Sequence, residues 1–168
     1  MADRSNMALA ENLLTLGIAV GGVRARVSRD LELTPQQVEL LCSLSHGPRS
    51  AGSLAELLAC DKTNITGMVN RLESRGLAYR DRDDEDRRVV YVVLSNSGTD
   101  VVREFRMRSY EAITKSLGDH SQEERDQLST LARKAIDSIS PELTGLLGPA
   151  PRGPQPQRSE EHDCSRTG

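Results

Sequence analysis

The sequence predicts a mainly α-helical chain carrying a small β-wing, and three observations carry that prediction. Aromatic residues are scarce, with one Phe, three Tyr and no Trp, so a core must be assembled from Leu, Val, Ile and Ala. Apolar residues recur at helical spacing along most of the chain up to Ile139. One interval breaks that period: residues 77–80 and 89–94 are β-rich runs flanking Asp81-Arg82-Asp83-Asp84-Glu85-Asp86-Arg87-Arg88, which is too polar for a core and must protrude.

Taken in order, a first helix is expected over about residues 6–31. Leu9, Leu13, Leu16, Val20, Val23 and Val27 step by three and four residues, a heptad-like seam for another helix. Gly17, Gly21 and Gly22 interrupt it at roughly 1 kcal/mol each against Ala, and suit a close crossing, a bend or a space for ligand. Arg24, Arg26 and Arg29 read as a solvated or intersubunit face. Thr34-Pro35-Gln36-Gln37 opens the second helix with a capping box and Pro at its first position. Val38, Leu41 and Leu44 form its core stripe, Cys42 is a small buried hydrophobe, and His46-Gly47-Pro48 ends it. His46 either complements the helix dipole or donates into a ligand pocket. Ser50 caps a third helix packed through Leu54, Leu57 and Leu58, and Ala59-Cys60-Asp61 is the turn into a fourth.

The fourth helix is the informative one. Ile65, Met68, Val69 and Leu72 share one face, while Lys62, Thr63, Asn64, Thr66, Gly67, Asn70 and Arg71 occupy the other. Asp61 is its N-cap, Gly76 sits where a left-handed residue is wanted, and Leu77 follows as the hydrophobic contact of such a stop. The free face suits the DNA major groove, where Asn pairs with adenine, Arg or Lys with guanine, and a Thr methyl touches thymine. The bland alternative is an amphipathic helix with a solvated face. The continuation favours the groove: a protruding hairpin bearing Arg82, Arg87 and Arg88 can enter the adjacent minor groove, with Asp86 holding Arg88 or its neighbours in place. Residues 34–94 therefore read as a winged helix-turn-helix.

Beyond the wing, Ser95-Asn96-Ser97-Gly98 starts a long helix to about Leu117, with Val102, Phe105, Ser109, Ile113 and Leu117 on one face and Gly118 closing it. Ser121-x-x-Glu124 is a second capping box. Leu128, Leu131, Ala132, Ala135, Ile136 and Ile139 make the cleanest amphipathic stripe in the chain, which Pro141 stops. The terminal helices, about 6–31 and 96–140, hold more apolar surface than one reading head can bury, which points to a homodimer. The chain thus reads as a single domain over residues 1–140 and a Pro/Gly-rich tail over 141–168, too poor in apolar residues to offset ordering entropy and so expected to be disordered.

Leu54-Ala55, Leu72-Glu73-x-x-Gly76-Leu77, Asp86-x-Arg88 and Leu94-Ser95-x-x-Gly98 stand in the order and spacing of the multiple-antibiotic-resistance regulator (MarR) family of winged-helix transcription factors, which the chain resembles over roughly residues 10–140. The resemblance implies a homodimer with interlocked terminal helices, reading a pseudo-palindrome whose half-sites lie about one helical turn apart. It also implies a repressor answering to a small organic effector, often an aromatic acid, held between the dimer helices and the reading head. It leads one to expect Gly at position 59, where Ala would bear about 1 kcal/mol or more of strain in a left-handed conformation.

Charge does not by itself point to nucleic acid. The formal net charge is −3. Between residues 60 and 92, Lys62, Arg71, Arg75, Arg80, Arg82, Arg87 and Arg88 are matched one for one by Asp61, Glu73, Asp81, Asp83, Asp84, Glu85 and Asp86. Non-specific affinity should be modest and salt-dependent, and specific binding requires these charges to be sorted, with Lys62, Arg71 and the remaining arginines facing phosphate. No apolar run approaches the roughly 20 residues of a membrane span, and residues 1–6 are not a signal sequence, so a cytoplasmic protein without membrane contact is expected. Cys42, Cys60 and Cys164 form neither a disulfide framework nor a zinc site, and His162-Asp163-Cys164 lacks the geometry for metal. No cofactor is implied, and no catalytic constellation is present among His46, His120, His162 and the acidic residues, so an enzyme is not expected. Two other readings stand beside DNA regulation: a winged-helix dimer acting through a protein partner, and a thiol-sensing regulator through Cys60, which lies next to a helix N-terminus where thiols are activated.

Overall fold

The computed structural model describes residues 2–82 and 89–139. In chain order its elements are α1 (Ala2–Asp30), α2 (Pro35–Leu44), β1 (Arg49–Ser50), α3 (Ala51–Leu57), α4 (Lys62–Ser74), β2 (Ala78–Arg82), β3 (Val90–Leu94), α5 (Asn96–Ser116) and α6 (Gln122–Ile139). The chain falls into two compact units, one ending at Arg125 and the other beginning at Asp126. The architecture is mainly α with a small antiparallel sheet, as expected. The sheet has three strands rather than two, in the order β1-β3-β2. Its outer member β1 pairs Arg49 with Val92 and Ser50 with Tyr91, and β2 pairs Ala78 through Arg82 with Leu94 through Val90.

Helix ends are set by local hydrogen bonds. Thr34 Oγ1 accepts from Gln37 N at 3.2 Å while Thr34 N donates to Gln37 Oε1 at 2.9 Å, a reciprocal box that buries Gln37. Ser121 and Glu124 form the same pair at the start of α6, at 3.2 and 2.8 Å. α1, α3 and α4 each stop in a Schellman arrangement. After α4, Gly76 N donates to Glu73 O and Leu77 N to Leu72 O, both at 2.9 Å, with Gly76 at φ 68°. After α3 and α1 the left-handed positions are taken by Ala59 at φ 48° and Glu32 at φ 56°, so both stops carry the strain that a Cβ brings to this region.

The core of the first unit joins Val27 of α1, Val38, Leu40, Leu41 and Leu44 of α2, Leu54 and Ala55 of α3, Ile65, Met68, Val69 and Leu72 of α4, Val92 of β3, and Val102 and Phe105 of α5. Leu40, absent from the expected stripe, is fully buried, whereas Leu57, expected to pack, is exposed. Gly98 explains the Ser-x-x-Gly pattern. A Cβ there would lie 2.0 Å from Leu77 O, while Ser95 Oγ accepts from Gly98 N at 2.9 Å and donates to Gly76 O at 2.7 Å. The start of α5 is thereby riveted to the end of α4.

The two faces of α1 differ along its length. Its last turns pack into the core through Val27, while Met7, Leu9, Leu14, Leu16 and Ile18 are exposed. Among the described residues no neighbouring atom lies within 4 Å of where a Cβ would stand on Gly17, Gly21 or Gly22, so none of them requires their smallness. Contrary to the expectation from sequence, the helix over Arg4–Asp30 is long and apolar enough by composition to cross a membrane. Leu, Ile and Val supply that apolarity together with small Ala and Gly residues. The stripe of α6 likewise contains no buried residue, with Leu131 and Ile139 exposed. Residues 140–168, including Cys164 and the expected tail, lie outside the described residues.

Candidate nucleic-acid interface

α4 is fixed by its cap and its apolar side and leaves one face bare. Asp61 Oδ1 accepts from Asn64 N at 2.8 Å, placing a carboxylate at the positive end of the helix dipole. Ile65, Met68, Val69 and Leu72 are buried, with Ile65 and Leu72 at 0% exposure. Opposite them Lys62, Thr63, Asn64, Thr66, Asn70 and Arg71 are all exposed, and none of these six is acidic. Thr66 Oγ1 donates back to Lys62 O at 2.9 Å, so its methyl group is the contact it offers outward.

Two arginines expected to face phosphate are engaged within the fold instead. Arg75 donates to Glu32 O at 2.5 Å and to Leu31 O at 3.4 Å, which ties the end of α4 to the corner between α1 and α2. The left-handed turn at Glu32 presents these carbonyls. Arg80, on β2, is ion-paired with Glu73 and donates through Nη2 to Asn70 Oδ1 at 2.9 Å. Asn70 is therefore exposed but committed at its oxygen end. Neither contact is legible in the sequence, where the partners stand 43 and 10 residues apart. The only advance signal for Arg80 was its place one strand beyond an acidic residue on the helix.

Arg82 stands at the far end of β2 opposite Val90, exposed, with its backbone N–H donated to Asp81 Oδ1 at 2.9 Å. Arg87, Arg88 and Asp86 lie outside the described residues.

The sequence matches the MarR family model over residues 33–90, the stretch that runs from just before α2 to the start of β3. The chain is also 36% identical over 110 residues to the HTH-type transcriptional repressor NicR of Pseudomonas putida, a match covering 65% of this chain and 70% of that protein. The chain belongs to the MarR family. It is a transcriptional regulator of the MarR type, in a family of non-enzymatic proteins. A transcriptional regulator from Thermotoga maritima superposes with a TM-score of 0.69 at 26% identity over 82% of this chain and 98% of that one. A MepR variant from S. aureus bound to an oligodeoxyribonucleotide superposes with a TM-score of 0.60 at 20% identity, over 78% of this chain and 97% of that one, and shares the fold.

Within this MarR fold, Cys60 follows the left-handed Ala59 and packs, half-buried, against the core. Cys42 lies where α2 meets α5. Burial raises its thiol pKa, opposed by the nearby Arg106 and Arg24 guanidinium groups. Arg106 also donates to Ser45 Oγ at 3.1 Å, Arg24 stands 5.5 Å over the Phe105 ring, and the buried Ser109 Oγ is without a hydrogen-bond partner among the described residues. His46, at the end of α2, is held below its ordinary pKa by desolvation and then by Arg106 and Arg49. Its surroundings thus disfavour the imidazolium form. Among the described residues no cluster of His, Cys, Asp and Glu could hold a metal ion.

Proposed function

We propose that the chain is a cytoplasmic, homodimeric repressor that binds a pseudo-palindromic site on double-stranded DNA and releases it in response to a small organic, aromatic acid-like effector. α4 enters the major groove, where Asn64 and Thr66 read bases, Thr63 and Asn70 line the same face, and Lys62 and Arg71 flank it toward phosphate. The wing arginines Arg82, Arg87 and Arg88 approach the minor groove, with Asp86 steadying them. The observation that carries this reading is the split of α4 into a fully buried apolar face and an exposed face without a carboxylate, at the surface of a regulator fold. The solved MepR complex contains an oligodeoxyribonucleotide, which agrees with it.

Support for the dimer comes from α1. Its exposed residues include Leu14 at 71% and Ile18 at 77%, and soluble monomers rarely expose contiguous apolar patches larger than a few hundred Å². A partner helix would also use the open space beside Gly17, Gly21 and Gly22. The same apolarity is better used in that seam than in a bilayer, because the C-terminal turns of α1 are already part of the core. The effector would sit near Arg24, Cys42, His46, Arg106 and Ser109, where cations and an unsatisfied hydroxyl gather, and would act by differential affinity for two separations of the heads.

Fluorescence anisotropy with the duplex upstream of the chain's own coding sequence, at two salt concentrations, tests the reading. Tighter binding than to a scrambled duplex is expected at both. Equal affinity for the two duplexes would favour action through a protein partner.

A further inference from the structure

We propose that Arg80 is a specificity-determining positioning residue, which holds Asn70 with its amide oxygen turned away from the DNA and so makes it a reader of G·C rather than A·T pairs. The inference rests on the reading that α4 enters the major groove, and goes beyond it to the chemistry of one base contact. Asparagine usually recognises adenine through both ends of its amide: Oδ1 accepts from N6–H while Nδ2 donates to N7. Here the oxygen end is occupied by Arg80 Nη2 at 2.9 Å. Amide oxygen and nitrogen are often interchangeable in a structure, but not at this position. A guanidinium has five donors and no acceptor, so only Oδ1 can face it.

Glu73 makes the arrangement persist. It sits one turn beyond Asn70 on α4 and pairs with the same guanidinium through Nη1. Strand β2 brings Arg80 to both side chains, with its backbone fixed opposite Val92. Glu73 neutralises Arg80 and competes with any phosphate for it. With one lone pair of Oδ1 taken by Arg80, the end of Asn70 left free is its NH2 group, which carries two donors. Guanine offers two adjacent acceptors, O6 and N7, whereas an A·T pair offers N7 and O4 separated by the N6 donor, so the paired donors of that NH2 favour guanine. Asn64 has no comparable side-chain contact among the described residues and contributes only its backbone N–H to Asp61. Adenine recognition therefore falls to Asn64.

The test uses the full chain and a pool of random duplexes, sequenced before and after selection, for the wild type and for Asn70→Ala, Arg80→Leu and the double variant. The position whose base preference collapses in Asn70→Ala is expected to be G·C in the wild type. Arg80→Leu should shift it toward A·T by about fivefold or more, the lower end of one bidentate contact, and should have no further effect when Asn70 is already Ala. An A·T preference at that position in the wild type overturns the proposal without any need for the Arg80 variant to fold. So does an Arg80→Leu protein that keeps its base preference while log affinity against log salt flattens by about one unit, since that is the signature of a phosphate contact. A wild type that enriches no sequence sinks the major-groove reading itself, a different result from either.

Discussion

Gly98→Ala should cost more stability than any surface change in the protein, and the structure says how much. The added Cβ would stand 2.0 Å from Leu77 O, 2.8 Å from Leu94 Cδ1 and 3.0 Å from Leu77 C. A side chain could swing aside, but the nearest atom belongs to the backbone. That carbonyl also accepts from Ser95 N at 3.2 Å, and its own residue donates to Leu72 O at 2.9 Å. To relieve the overlap the strand end must move by more than about 1 Å, which forfeits close packing and strains two or three hydrogen bonds worth about 1 kcal/mol each. Overpacking adds about 1–3 kcal/mol, while the better helix propensity of Ala returns at most about 1 kcal/mol. A net loss of about 3 kcal/mol is expected. The assay is urea unfolding at fixed protein concentration, which removes the concentration dependence of an oligomer. Gly67→Ala is the control, because its Cβ would meet nothing within 4 Å and should raise stability by about 0.5–1 kcal/mol. If both variants unfold within about 0.5 kcal/mol of the wild type, a spread typical of surface substitutions, the rivet between α4 and α5 is not as described.

Further outcomes follow from single residues. Ala59→Gly relieves a left-handed Cβ at φ 48° and should stabilise the fold by about 0.5–1 kcal/mol in the same assay, the strain relieved less the entropy Gly adds to the unfolded chain. His46 has a folded pKa below its unfolded value of 6.5. The unfolded chain therefore takes up a proton first, and the contribution of His46 is present above that value and lost as pH falls through the depressed one. The melting temperature of His46→Gln should decline less than that of the wild type on acidification through this window. Arg71→Ala should lower the slope of log affinity against log salt by about one unit. Arg75→Met should leave that slope unchanged but cost about 1–2 kcal/mol of stability, because its guanidinium is spent on the carbonyls of Glu32 and Leu31.

What could be read ahead of the structure was local. The two capping boxes, the Asp61 cap and the Gly76 stop each depend on residues three to five apart, and each formed as its residue types dictate. The division of α4 into apolar and polar faces needed only helical periodicity. β1 escaped notice because two residues, Arg49 and Ser50, carry no alternation, and their pairing with Val92 and Tyr91 reaches across some forty positions. The roles of Arg75 and Arg80 escaped for the same reason: a count of charges says nothing of which guanidinium is already partnered. Leu57 reads like Leu54 in the sequence, but the short helix α3 turns only its Leu54 and Ala55 inward to burial.

If the bare face of α4 discriminates between DNA sequences, Asn64→Ala must weaken that discrimination. Measured by anisotropy, the ratio of affinities for the upstream and scrambled duplexes should fall by about fivefold to a hundredfold, the worth of one bidentate base contact, with the salt slope unchanged. An unaltered ratio, with the protein folded, would show that α4 does not read the bases.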